Sequence, residues 1–136
     1  MKSDSGPERL KNTLAEHCDG LVFVSEIDAP IEPVVFPEIQ SLAQSDLAEG
    51  LDLGKNEPIE TTDAHVFFDR LTRHKEWHGP IEKENTKRFT RLRKTLESEL
   101  DDLHVFRIGK VKIDIYVLGI SKIGIIAGVH TSAVET

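Results

Sequence analysis

The spacing of hydrophobic residues predicts four helices, over about residues 6–18, 38–47, 62–74 and 81–103. In the first, Leu10, Leu14 and Cys18 recur every four residues and would therefore lie along one side of a helix. The last is the longest, because hydrophobic residues continue at steps of three and four as far as Leu103, with bases between them. Between the third and fourth helices a Gly-Pro pair predicts a loop, and this loop carries the single tryptophan, Trp77.

Strands are predicted where the period changes to two, or where a short apolar run follows a turn. Residues 111–117 alternate between apolar and polar side chains, and shorter runs occupy residues 21–24, 34–36, 59–61, 105–106 and 125–129. Glycines predict turns at residues 109–110 and 119–124, so the last third of the chain should form an antiparallel meander.

Such a sheet needs helices on both faces to bury it. The sequence therefore predicts an α/β fold, a three-layer α/β/α sandwich with a mainly antiparallel C-terminal sheet. We expect strand 21–24 to join this sheet and residues 1–136 to form a single domain.

Composition changes this picture only by excluding classes of protein. Hydrophobic residues make up 38% of the chain and charged residues 30%, which is typical of a soluble globular protein and not of a disordered one. There is no apolar run of the ~20 residues that span a bilayer, and the first residues are too polar for a signal peptide. A cytoplasmic location without a membrane partner is therefore expected. The single cysteine, Cys18, excludes an intrachain disulfide and a cysteine-based zinc site.

Charge is distributed unevenly along the chain. The formal net charge is -7, but residues 1–60 hold 13 acids and 4 bases, and the stretch from Glu26 to Asp63 holds ten acids and one base. An acidic field repels nucleic acid and attracts a basic protein surface. A simpler interpretation is that acidic loops keep a small domain soluble.

Motifs for catalysis are missing from the sequence. His74 and His78 stand four residues apart, but the glutamate between them does not follow the first histidine, as the zinc-protease motif requires. The carboxylates Glu26 and Asp28 have no candidate nucleophile beside them, and no Gly-rich phosphate loop occurs. We therefore expect a protein that is not an enzyme, uses no cofactor and has no metal site of its own.

Three stretches of the sequence resemble the nuclease A inhibitor family. They are residues 19–26 (Asp-Gly-Leu-Val-Phe-Val-Ser-Glu), residues 63–71 with a Phe-Phe pair, and residues 105–136, which end in Val-Glu-Thr. The resemblance implies a small α/β/α protein that binds a sugar-non-specific, Mg²⁺-dependent endonuclease of DNA and RNA. It would block the active site of that endonuclease in a complex of about one to one, without touching nucleic acid itself.

The same resemblance implies a partner-binding role for five residues. Glu26 matches the acid that ends the first strand, and Trp77 matches a tryptophan on the loop between the middle helices, with Glu76 before it. Thr136 matches a C-terminal threonine that approaches the Mg²⁺ of the nuclease, and Glu135 precedes it.

Physical chemistry suits these roles. An acid complements a cleft that must be basic to hold phosphate, an exposed tryptophan buries a large area on binding, and threonine oxygens are ligands that Mg²⁺ accepts. Simpler interpretations also exist: Glu26 as a solubilising acid, Trp77 as a half-buried anchor of its loop, and Thr136 as a frayed end.

The resemblance is weakest over residues 31–58, which keeps a second hypothesis open. The chain could be an acidic interaction module of the same fold that binds a different basic protein.

Overall fold

The structure, a computed structural model, describes residues 6–24, 28–51, 59–72 and 79–135. The helices in these ranges are α1 (Gly6–Cys18), α2 (Gln44–Gly50), α3 (Ala64–Thr72) and α4 (Pro80–Glu99). The strands are β1 (Val22–Val24), β2 (Asp28–Pro30), β3 (Glu32–Phe36), β4 (Ile59–Asp63), β5 (Leu100–Ile108), β6 (Lys112–Ser121) and β7 (Ile126–Val134).

Five strands form one antiparallel sheet in the order β3-β7-β6-β5-β4. The predicted meander is its centre, since β5, β6 and β7 are consecutive in the chain and adjacent in the sheet. The two extended segments predicted at residues 34–36 and 59–61 become its edge strands. The prediction that strand 21–24 joins this sheet is wrong, because β1 pairs with β2 in a separate two-stranded hairpin.

One face of the sheet is covered by α1, α3 and α4. The alternation along β6 turns Ile113, Ile115 and Val117 toward these helices. The helical residues packed in this cluster are Leu10, Leu14, Cys18, Phe68, Phe89, Leu92 and Leu96. The period of the first and fourth predicted helices thus matches their buried sides, whereas in the third helix Val66 is exposed and Ala64 and Phe68 are buried.

The opposite face is covered by α2 and the turn before it. Leu47 of α2 and Ile39 pack in a second cluster with residues of the sheet, namely Phe106, Leu118 and Ile126. Because helices lie on both faces of an antiparallel sheet, the predicted α/β fold is confirmed, with its three layers.

Several predicted boundaries change for local reasons. Asp63 caps α3, as its Oδ1 accepts the backbone N–H groups of His65 at 2.7 Å and Val66 at 3.3 Å. The helix expected over residues 38–47 is shifted, since α2 begins only at Gln44. The third helix was expected to end near residue 74, and α3 ends at Thr72.

The fourth helix was expected to reach Leu103, but α4 ends at Glu99 and Leu100 already pairs with Ser121 in the sheet. Leucines at positions 100 and 103 continue the helical spacing in sequence. In the structure Leu100 is buried from a strand instead, and a bulge between Asp101 and His104 restores the register of β5.

Gly119 was predicted in a turn and lies within β6. A Cβ at this position would come within 2.7 Å of the Asp101 carbonyl oxygen and 2.9 Å of the Leu100 Cβ. The glycine therefore serves the close approach of β6 to the bulged part of β5.

Within the described ranges, none of the helices is both long enough and apolar enough to cross a membrane.

Candidate functional site at one end of the sheet

The sheet has one end, called here the loop end, where β4 and β6 begin and β5 and β7 finish. Val134 pairs with Lys112 there, and Ile108 pairs with both Asp114 and Ile59. The turn between β5 and β6 closes this end. The described segments next to the predicted binding residues lie at this end.

The β1–β2 hairpin extends toward the loop end. Glu32 of β3 lies opposite His130 of β7, and the chain before it runs along the later part of β7, where the Thr131 hydroxyl donates to the Pro30 carbonyl oxygen at 3.0 Å. The closed end of the hairpin, with Val24 opposite Asp28, therefore points to the loop end. Glu26 follows Val24 by two positions and lies outside the described residues.

The start of α4 lies at the same end. Helix α4 has 20 residues, about 30 Å of helix, and leads directly into β5 at the opposite end of the sheet, so its first residue lies toward the loop end. The Arg93 guanidinium contacts His65 at 3.0 Å and Asp69 at 2.9 Å, which holds α3 against α4. Glu76 and Trp77 belong to the connection between these helices and lie outside the described residues.

Two contacts fasten the hairpin to the helix pair. The Asn85 side-chain amide donates to the Val22 carbonyl oxygen at 3.2 Å, and the rings of Phe23 and Phe67 stack with centroids 6.0 Å apart. The hairpin is thereby held beside α3 and the first turns of α4. No pattern in the sequence points to Asn85, whose partner is 63 positions away.

The chain after β7 is held at the loop end as far as Glu135. Its backbone N–H donates to the Val111 carbonyl oxygen at 2.9 Å, and its side chain pairs with Arg107 of β5. Glu135 is 51% exposed. It is the one predicted binding residue that the structure describes, since Thr136 lies outside the described residues.

A groove of about 890 Å³ opens between α3 and the end of β5, and we call it the α3–β5 groove. Its walls combine three bases with two acids and several apolar side chains. Its lining includes Glu60, Val66, Phe67, Arg70, Arg107, Lys110, Ile113 and Glu135. Such mixed walls suit contact with a protein surface more than with a nucleic acid backbone.

Several acids of the Glu26–Asp63 stretch have structural partners. Glu32 contacts the His130 ring at 2.9 Å, Asp46 accepts a hydrogen bond from Ser41 at 2.6 Å, and Asp63 caps α3. Other acids of this stretch are exposed, namely Asp28, Glu38, Glu49 and Glu60. Of these, Asp28 and Glu60 belong to the loop end.

The side chains whose pKa is shifted lie away from the α3–β5 groove. Burial raises the pKa of the Cys18 thiol to about 12. Burial first, and then the charges of Asp114 and Glu32, raise the pKa of Tyr116. The hydrogen bond to Asp69 raises the pKa of Arg93. None of these shifts produces a nucleophile or general base beside the groove.

Metal ligands are not grouped in the described residues either, where no set of three or more His, Cys, Asp or Glu side chains is placed to hold an ion.

Comparison with known proteins gives one finding. A family model described as nuclease A inhibitor-like protein matches residues 8–136, nearly the whole chain. A comparison with curated proteins finds no match.

Proposed function

The chain belongs to the nuclease A inhibitor-like family, and from this premise we propose that it inhibits a sugar-non-specific, Mg²⁺-dependent endonuclease of DNA and RNA. The inhibitor binds the enzyme as a folded protein, in a complex of about one to one, and covers its active site. It is not itself an enzyme in this proposal, and it contributes no cofactor.

The observation that supports this proposal is the arrangement of the loop end. The closed end of the β1–β2 hairpin, the start of α4 and the exit of β7 come from distant parts of the chain and lie at one end of the sheet. The neighbours of all five proposed binding residues are therefore on one side of the molecule. A single surface of this kind can be presented to a cleft.

Glu26 and Glu76 supply negative charge in the proposed complex. A nuclease cleft is basic because it must hold phosphate, and carboxylates make charge-assisted hydrogen bonds with arginine and lysine. These two acids therefore occupy the part of the cleft that a substrate phosphate would use.

Trp77 is the proposed anchor, because burying a large and fairly rigid side chain contributes strongly to binding at a small entropic cost. Thr136 approaches the Mg²⁺ of the nuclease, since its hydroxyl is a hard oxygen donor of the kind that Mg²⁺ accepts, directly or through water. Glu135 leads the chain toward that position.

Inhibition is tested with the purified chain and a sugar-non-specific, Mg²⁺-dependent endonuclease from the same genome. Cleavage of a fluorogenic DNA and of a fluorogenic RNA is followed as the chain is titrated. We expect cleavage of both to fall in parallel and to stop near one equivalent, because both substrates use the same metal centre. The chain alone should cleave neither substrate with any divalent metal.

Two variants test the proposed contacts. Trp77→Ala should weaken binding by about thirtyfold, equivalent to ~2 kcal/mol, chiefly through faster dissociation and with an unchanged melting temperature. Thr136→Val, which removes only the hydroxyl, should cause a smaller loss of binding.

The proposal would be overturned if the chain at micromolar concentrations inhibited the cleavage of neither substrate, or if the chain itself showed turnover. Binding to the nuclease without inhibition would favour the acidic interaction module.

A further inference from the structure

The pair Arg107–Glu135 joins the end of the described chain to the middle of the sheet. Arg107 Nη2 and Glu135 Oε2 are 2.5 Å apart, and Arg107 is only 22% exposed. Arg107 lies on β5 and Glu135 follows β7, so the contact spans the strand β6 between them. Its partners are 28 positions apart in sequence.

A second contact acts on the same residue from the other side. The Glu135 N–H donates to the Val111 carbonyl oxygen in the turn between β5 and β6. With its backbone bonded to the turn and its side chain bonded to β5, Glu135 is restricted both in position and in rotation.

We infer that Arg107 is a positioning residue of the inhibitor: it holds Glu135, the residue next to the proposed metal-directed Thr136, in place before the nuclease binds. The inference rests on the proposed function. Arg107 itself lines the α3–β5 groove and needs no contact with the metal centre of the enzyme. Its effect is to order the last residues before binding, so that the complex does not have to order them.

This role differs from a direct contact of Glu135 with the nuclease. If Glu135 bound the enzyme directly, its removal would weaken inhibition and Arg107 would be dispensable. If the pair positions the chain, removing either residue is enough to break the pair. The losses of inhibition in the two single variants would then not add in the double variant, because the first substitution already releases residue 135.

The first experiment uses the protein without nuclease. Hydrogen exchange of the Glu135 amide is measured by NMR in the wild type, in Arg107→Gln and in Lys122→Gln. Lys122 is exposed in the turn between β6 and β7, at the other end of the sheet, so its variant removes one positive charge without touching the pair or the groove. We expect exchange to accelerate about tenfold in Arg107→Gln only, since the hydrogen bond to Val111 opens more often.

The second experiment measures the inhibition constant and melting temperature for Arg107→Gln, Glu135→Gln, the double variant and Lys122→Gln. Each single variant of the pair should weaken inhibition about tenfold, as expected when one more residue has to be ordered on binding. The double variant should inhibit no more weakly than the single variants, and Lys122→Gln should stay within about twofold of the wild type. Melting temperatures should hardly change, because a partly exposed ion pair contributes little stability.

Wild-type inhibition in Arg107→Gln, or additive losses in the double variant, would overturn the inference. A wild-type chain that fails to inhibit would overturn the proposed function instead. In that case faster hydrogen exchange of the Glu135 amide in Arg107→Gln would still show that Arg107 holds Glu135 in place.

Discussion

At the scale of single residues, Cys18 shows how burial decides the chemistry of a side chain. The thiol is packed in the core among residues of α1 and the sheet, and its pKa of about 12 keeps it protonated. Since the thiolate is the reactive form, the native protein should be nearly inert toward thiol reagents at about pH 8. The same chain unfolded in guanidinium chloride should react rapidly.

The chain has one cysteine, so absorbance from a disulfide reagent reports on this site alone. Fast reaction of the folded protein would contradict the burial of Cys18.

The raised pKa of Cys18 also makes the stability of the protein depend on pH. The unfolded chain loses this proton near the ordinary pKa of 9.0, before the folded one does. The contribution of Cys18 to the free energy of unfolding therefore decreases as pH rises above that value.

At the scale of elements, His130 joins three strands on the α2 face of the sheet. It stands on β7, and its two ring nitrogens contact Glu32 of β3 and Asp114 of β6, both at 2.9 Å. The ring also packs on Tyr116, with centroids 4.6 Å apart.

His130→Ala should lower the free energy of unfolding by about 2 kcal/mol, because it removes a packed ring and two side-chain hydrogen bonds between strands. His104→Ala is the matched control. His104 is 40% exposed and contacts Asp102 through one nitrogen, whereas His130 is 17% exposed. The control should change stability by less than about 0.5 kcal/mol. Both free energies of unfolding are measured in guanidinium chloride. Equal losses in the two variants would show that the contacts of His130 with Glu32 and Asp114 contribute nothing to stability.

The elements also show which features of the fold can be predicted from sequence. Hydrophobic period is local, so α1 and the side of α4 that faces the core were both predicted. The end of α4 was not, because Leu100 fits a helical stripe and a buried strand equally well. The role of Gly119 depends on how closely the Asp101 carbonyl approaches, and no neighbouring residue encodes that contact. Strand β1 was assigned to the main sheet because a short apolar run fits a buried strand there as well as it fits the local hairpin with β2.

At the scale of the whole molecule, the candidate site follows from topology. The resemblance predicted the binding residues one at a time, but no periodicity could predict that residues 24, 79 and 135 approach one end of the sheet. The register of five strands and the direction of α4 bring them there. Arg107 was missed for the same reason, since a base on a strand carries no signal for a partner 28 positions away.

The distribution of charge leads to a prediction about association. If the acidic stretch steers binding to a basic cleft, acids at the loop end should matter more than acids elsewhere, because the field of an exposed charge decays over about 10 Å at 0.1 M salt. Asp28 and Glu60 are exposed at the loop end. Glu38 and Glu49 are also exposed, but they lie near Ile39 and Leu47, which cover the face of the sheet opposite α3 and α4.

Two double variants with the same change in net charge separate local steering from overall charge. We expect Asp28→Asn with Glu60→Gln to slow association with the nuclease about fivefold at low salt. Glu38→Gln with Glu49→Gln should slow it less than about twofold. Stopped-flow fluorescence of Trp77 gives the association rate separately from dissociation. The difference between the variants should vanish near 1 M salt, where charges are screened within about 3 Å. Equal slowing by both variants would mean that net charge alone sets the rate, and an association rate independent of salt would exclude electrostatic steering.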